Sequence, residues 1–171
     1  MSDLFGHRPS IKAISLWQPW ASLVAAGVKL HETRHWPTDY RGPLAIHAAK
    51  TMDVAGAPEH LCMDLFGPWW AKELPRGAML AVARMASCRP AMTVADHLQR
   101  ADLASGNFAP GRYAWRLADV RRLARPIPVT GRQGLFNWTA PDELDAILGP
   151  PLNHVAACSA IGWASHERLT A

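Results

Sequence analysis

The sequence predicts an α+β fold in a single domain over residues 10–165, with short strands closing into a small β-barrel and α-helices flanking it. Three observations point there. At 171 residues the chain has one domain's length and enough material for a core. Few segments hold a helical period for long, and the extended apolar and alternating runs fall in the middle and late chain. No internal repeat, low-complexity tract or linker divides it, and short tails are expected at both ends.

Taken in order, residues 18–27 read as a short helix. Pro19 suits a first turn, where its missing N–H costs nothing, and Trp20, Leu23 and Val24 share a face. Gly27 is the expected left-handed stop. Residues 28–36 read as extended up to Pro37. Tyr40–Pro43 reads as a turn, and 43–49 as a strand with Leu44 and Ile46 alternating against Ala45 and His47. Residues 53–66 are weakly helical and end at Gly67-Pro68. Residues 77–88 form a nearly continuous apolar run, as a strand buried on both faces would. Thr93–Asp96 resembles a capped start for a helix over 94–104. A strand opens at Gly111, with Tyr113, Trp115 and Leu117 alternating against Arg112, Ala114 and Arg116. It continues over 120–129, where Pro126 and Pro128 restrict pairing. Thr139–Asp142 starts a last helix bearing Leu144, Ile147 and Leu148, stopped by Gly149-Pro150-Pro151.

Composition narrows the function. Of the residues, 49% are hydrophobic and 19% charged, which excludes wholesale disorder. No apolar run approaches the roughly 18–20 residues a membrane helix needs. The first residues carry no apolar signal core, so a soluble, cytoplasmic protein is expected. Cys62, Cys88 and Cys158 are odd in number and widely spaced, which supports neither a disulfide framework nor a cysteine zinc site. The net charge is +4, and 14 of the 18 basic residues are arginine. Arg112, Arg116, Arg121, Arg122, Arg125 and Arg132 face one acid, Asp119, so the window 112–132 carries +5. Local positive charge of this kind fits a polyanionic partner or a solvated arginine-rich strand.

The densest polar cluster is Lys29–His35. It contains His31-Glu32-Thr33-Arg34-His35, a formal HExxH string. Zinc binding through that string requires one helical face, and Gly27 and Pro37 leave room for only one or two turns. In a strand the two histidines lie about 13 Å apart, too far for one metal. Read as a strand, Lys29, His31, Thr33 and His35 face one way and Leu30, Glu32, Arg34 and Trp36 the other. Glu32 and Arg34 can then pair at a sheet edge. For Lys29, Glu32 and Arg34 to share a cleft, the backbone must bend near Leu30.

The strings Ser15–Ala21, Ala26–Trp36 and Tyr40–Lys50, followed by Gly111–Leu117 and 126–138, resemble the ASCH domain family over about residues 14–138. The resemblance implies a PUA-like small β-barrel with flanking helices. It also implies an association with RNA and modified nucleosides, and a cleft between helix and barrel lined by Lys29, Glu32 and Arg34, with Lys50 pointing at it. One branch hydrolyses acetylated cytidine with a Lys and a Thr three residues on; here that position is Glu32.

The expectation is therefore a nucleic-acid-binding domain that holds single-stranded RNA or a nucleotide in a basic cleft, with single-stranded RNA or a modified nucleoside as its partner. Lys29 and Arg34 would contact phosphate or base, Trp36 would stack, and Lys50, Arg112, Arg116, Arg121 and Arg122 would extend the phosphate track. As an enzyme it would be a hydrolase using Lys29, Glu32 and Arg34. It would be either a ribonuclease drawing on His31, His35 or His47, with Mg²⁺ on Glu32 and Asp39, or an N-acyl nucleoside amidohydrolase. A protein-interaction module in transcription or translation control is the third class. Oligomeric state is open.

Overall fold

The apolar runs form the middle of one seven-stranded sheet, in a computed structural model that describes residues 10–52 and 54–163. The order is β1 (Ser10–Gln18), α1 (Trp20–Ala25), β2 (His31–Arg34), β3 (Gly42–Met52), α2 (Glu59–Phe66) and α3 (Trp70–Glu73). There follow β4 (Ala78–Pro90), two 3-10 turns at Ala91–Thr93 and Ala95–His97, and α4 (Arg100–Ala104). Last come β5 (Tyr113–Pro128), β6 (Leu135–Thr139), α5 (Leu144–Ile147), β7 (Leu148–Pro151) and α6 (His154–Ala160). The expected tails lie outside the described residues.

The sheet runs β2-β5-β4-β3-β1-β6, with β7 beside β5. Among the described residues only β1 and β3 pair in parallel. Successive side chains of a strand point to opposite faces, and here both faces are covered. Ile14, Leu16, Leu44, Ile46, Trp115 and Leu117 pack into one cluster; Ala13, Ala45, Met79, Leu123, Phe136 and Trp138 pack into another. The expected alternation in β3 is therefore absent, because Leu44 to Ala48 are all buried. For the same reason β1 has no inside–outside pattern, and periodicity passes it over. A third cluster, with Leu23, Leu61, Trp70 and Ala101, lies under the helices.

The fold is α+β and barrel-like; β4 matches the long strand expected over 77–88, and β5 is longer than either segment expected there. β4 has 13 residues and β5 has 16. The two segments read on either side of residue 118 are one strand, bent at Asp119 (φ +52°) and by register shifts against β4. Such bends coil the sheet. β6 pairs with β1 over Ser10–Ile14, so among the described residues no strand covers the outer edge of Ser15–Gln18. Across that gap, Arg34 of β2 donates from its NH2 to the Ser15 carbonyl at 3.1 Å. The two ends of the sheet meet there through a side chain rather than a ladder.

Several boundaries move for identifiable reasons. Gln18 closes β1, and its side-chain oxygen accepts from the Ser22 N–H at 3.1 Å, capping α1. Gly27 ends that turn at φ +78° with its Cα against Leu152. The helix expected over 94–104 is two 3-10 turns followed by α4. The Thr93 hydroxyl donates back to the Pro90 carbonyl at 2.8 Å instead of capping. The expected last helix is a single turn, α5. Its expected stop is β7, because Arg121 donates to the carbonyls of Gly149 (2.8 Å) and Leu148 (3.3 Å) and ties them to β5. Burial pushes the Cys62 thiol up to about 12, with Glu59 adding to it, and the Cys158 thiol up to about 11, with Asp102 adding to it. Both are inert core residues. Among the described residues no helix is long and apolar enough to cross a membrane.

Trp115 joins β2, β4 and β5. It is fully buried, edge-on to Trp36 at 4.5 Å, and donates to the Trp36 carbonyl at 3.3 Å. Trp115→Ala is expected to cost about 3–5 kcal/mol by urea denaturation.

Candidate functional site

The site starts at the turn between α1 and β2. The N–H groups of Val28 and Lys29 both reach the Leu23 carbonyl at 3.2 Å, which folds the chain before it joins the sheet. Contact with β5 begins at Leu30, whose carbonyl accepts from the Leu117 N–H at 2.7 Å. Lys29 therefore precedes the strand and is free of its alternation. Its side chain, 1% exposed, turns inward. The ammonium donates to the carbonyls of His31 (2.5 Å) and Ser105 (2.9 Å) and lies 3.4 Å from Glu32 Oε2. Two carbonyls and one carboxylate thus surround the ammonium.

Asp102 of α4 braces this turn from the other side. Its Oδ1 accepts from the backbone N–H groups of Leu30 and His31 at 3.0 Å each, and Oδ2 lies 2.6 Å from His31 Nδ1. Burial raises the Asp102 carboxyl. The hydrogen bond and charge of His31, the charge of Lys29 and the His31 N–H outweigh burial, and the net direction is below the ordinary value. Lys29 and Asp102 together fix where β2 begins.

From there β2 alternates. His31 and Thr33 are buried, and Glu32 and Arg34 are partly open. Glu32 Oε1 lies 3.0 Å from Arg34 Nε, an ion-pair contact off the hydrogen-bonding axis. Held by Glu32 and the Ser15 carbonyl, the Arg34 guanidinium keeps NH1 without a protein partner among the described residues. Thr33 Oγ1 accepts from the Asn107 N–H at 3.0 Å. Arg112 donates to the Thr33 carbonyl (2.9 Å) and the Asn107 carbonyl (3.2 Å), joining the α4–β5 connection to the strand.

These groups surround a cleft of about 510 Å³ in the gap between β1 and β2. Its walls are Ser15 to Trp17, Trp20, Lys29, Glu32 to His35, Ala55-Gly56, Ala104 to Asn107, and Arg112. Trp17 is 50% exposed there, and Trp20 is half-buried against the helical cluster.

Of the residues singled out from sequence, the fold brings Lys29, Glu32, Arg34, His35 and Arg112 to this cleft and leaves the others outside its lining. Trp36 packs against Trp115 in the core's edge. Lys50 is exposed, its stem lying over Gly77. Arg116 and Arg122 are exposed elsewhere on β5, and Arg121 is committed to β7. Sequence reasoning missed Trp17, Asp102 and Asn107. Trp17 lies between two inward residues, Leu16 and Gln18, but the adjacent buried pair Ala13 and Ile14 breaks the alternation that would have marked it.

The HExxH string lies in β2, with His31 bound to Asp102 and His35 exposed. Mg²⁺ does not fit this donor set. Glu32 is the one carboxylate among the lining residues, and both its oxygens already face cations. Asp39 does not line the cleft, and among the described residues no group of three or more His, Cys, Asp or Glu gathers elsewhere.

The profile of the ASCH domain matches residues 14–127. Among solved structures, the chain is similar to ASCH from Zymomonas mobilis, with 16% identity and a TM-score of 0.48, covering 81% of this chain and 96% of that one. It is also similar to a mutant form of the ASCH protein from Zymomonas mobilis, with 16% identity and a TM-score of 0.46, covering 79% of this chain and 93% of that one. No curated protein matches it.

Two outcomes test the framework. Lys29→Met leaves the Ser105 carbonyl and Glu32 without their buried cation and is expected to cost about 3–5 kcal/mol in chemical denaturation. Asp102 titrates near 3.9 in the unfolded chain and lower in the folded one. Its contribution is therefore complete above about pH 4 and is lost as pH falls through the folded value. Stability measured by urea denaturation from pH 6 to pH 3 should fall steeply in the wild type, and less steeply in Asp102→Asn, which starts lower.

Proposed function

The chain belongs to the ASCH domain family, and from that premise we propose that it binds single-stranded RNA, one nucleotide at a time, in the cleft between β1 and β2. The observation that carries this reading is the Arg34 guanidinium, fixed on two sides and open on NH1, beside a half-exposed Trp17. A held guanidinium loses little rotamer freedom on meeting a phosphate oxygen. An exposed indole offers any base a stacking face, worth about 1–3 kcal/mol. The cleft lies within the roughly 300–1,000 Å³ of small-molecule sites, suited to one nucleotide rather than a strand.

The roles then differ from those read off the sequence. Arg34 and Arg112 take phosphate, and Trp17, backed by Trp20, takes the base in place of Trp36. Glu32 orients Arg34. Lys29, whose donors are spent on protein acceptors, holds Glu32 and does not reach the ligand. Lys50, Arg116 and Arg122 lie outside the cleft and contribute general attraction to a polyanion. Amidohydrolysis by Lys29 has less support, because its neighbour is a carboxylate and not a hydroxyl nucleophile.

The test is quenching of tryptophan fluorescence by a short single-stranded oligoribonucleotide and by AMP. Trp17→Ala and Arg34→Ala should each weaken binding roughly tenfold or more, and Arg125→Ala should leave it unchanged. Two phosphate contacts predict a slope of log affinity against log salt near about −1.4 for the oligoribonucleotide. A flat salt dependence, or binding insensitive to Trp17 and Arg34, overturns the reading.

A further inference from the structure

We propose that Ser15 is a nucleophile activated by His47, and that the cleft hydrolyses a carboxylic ester carried on the nucleotide it binds. The Ser15 hydroxyl lies 3.0 Å from His47 Nδ1, and His47 Nε2 lies 2.9 Å from the Val129 carbonyl. A carbonyl only accepts, so Nε2 carries the ring proton and Nδ1 turns its lone pair to Ser15. That is the order nucleophile, base, orienting group.

The surroundings support a base rather than a cation. His47 is 1% exposed. Facing it are Ser15 of β1, the Phe136 ring of β6 edge-on at 6.2 Å, and the Val129 and Gly131 backbone of the β5–β6 connection; none is charged. Burial lowers its pKa below the ordinary value, against the opposing pull of the Val129 carbonyl, so the ring is neutral at pH 7. A Cβ at Gly131 would lie 2.3 Å from His47 Cε1 and 2.6 Å from Ser15 Oγ. Only glycine allows that backbone to close over the pair. The Arg132 carbonyl, 3.1 Å from Ser15 Oγ, competes for the single hydroxyl proton; the attacking conformer is the one whose proton points at Nδ1.

Ser15, unlike His47, is also part of the cleft lining. It lies just past the point where β6 leaves β1, lines the cleft wall, and has the Arg34 guanidinium on its own carbonyl. Trp17, two residues along the strand, sits about 7 Å away, close to the span between a stacked base and a substituent on its ribose. The substrate class rests on the nucleotide reading above; the pair itself does not. With a neutral carbonyl rather than a carboxylate behind His47, the imidazolium is weakly stabilised, which suits an ester more than an amide.

The steps balance. Ser15 Oγ bonds to the acyl carbon as His47 Nδ1 takes the hydroxyl proton, and the negative charge passes to the acyl oxygen. The ester C–O bond breaks, and His47 returns the proton to the departing ribose oxygen. Water then attacks the acyl-serine with His47 again as base, releasing the carboxylic acid and restoring Ser15.

The full chain is treated with a fluorophosphonate, and the modified peptide is mapped by mass spectrometry. Ser15 should be labelled, Ser15→Ala should lose that label, and His47→Asn should slow it about 100-fold. In the wild type, the rate should rise with pH through a midpoint below 6.5 and then level, which a merely structural pair would not show and which needs no variant to fold. Acetate release from 3′-O-acetyl-AMP should follow the same dependence. No label at Ser15, a His47→Asn rate equal to wild type, or a rate that climbs with hydroxide without levelling overturns the proposal. Labelling that AMP does not slow upholds the pair and removes the nucleotide reading.

Discussion

A lysine ammonium shut away from water needs polar partners and a counter-charge, and Lys29 finds them in two hydrogen bonds, to the His31 and Ser105 carbonyls, and an ion pair with Glu32. The pairing joins the α1–β2 turn to the end of α4, and it places a carboxylate beside the ammonium. Glu32, so placed, holds Arg34, and Arg34 reaches the Ser15 carbonyl across the gap in the sheet. Asp102 locks the same turn through two backbone N–H groups and the His31 ring. One buried charge therefore sets the position of the only side chain seen to join the two ends of the sheet, among the described residues.

The gap is a consequence of strand lengths. β6 covers the first five residues of β1 and stops. The remainder of β1 lies opposite β2, too far for a ladder and close enough for an arginine. Backbone polar groups left open at such a place need partners, and Arg34 supplies one for Ser15. The opening that results has an indole on one wall and cations on the other, with Ser15 on its rim and the His47 ring buried behind Ser15. The proposed binding site and the proposed nucleophile thus both sit at one incomplete closure.

The sequence made part of this legible. Alternation in 29–36 separates His31 and Thr33 from Glu32 and Arg34, and the bend needed before Leu30 follows from Gly27 and the turn after it. The glycine and proline stops at Gly27 and Gly67 fall at observed ends. What stayed hidden was hidden for physical reasons. Asp102 sits on a five-residue helix, too short to show a period. β1 and β3 are covered on both faces and so lack alternation. Trp36 and Trp17 look equivalent in a string of letters; only the packing of Trp36 on Trp115 separates a core residue from an exposed one. The arginines of 112–132 read as a continuous track, yet Arg112 holds the cleft wall, Arg121 holds β7, and Arg116 and Arg122 are exposed outside the cleft.

The central claim is that the ligand enters between β1 and β2. Nuclear magnetic resonance of the ¹⁵N-labelled protein titrated with AMP tests it most directly. The account predicts shifts at the Trp17 indole N–H, the Arg34 Nε–H and the backbone of residues 104–107. Shifts confined to the exposed arginines of β5, with Trp17 and Arg34 unmoved, would contradict it.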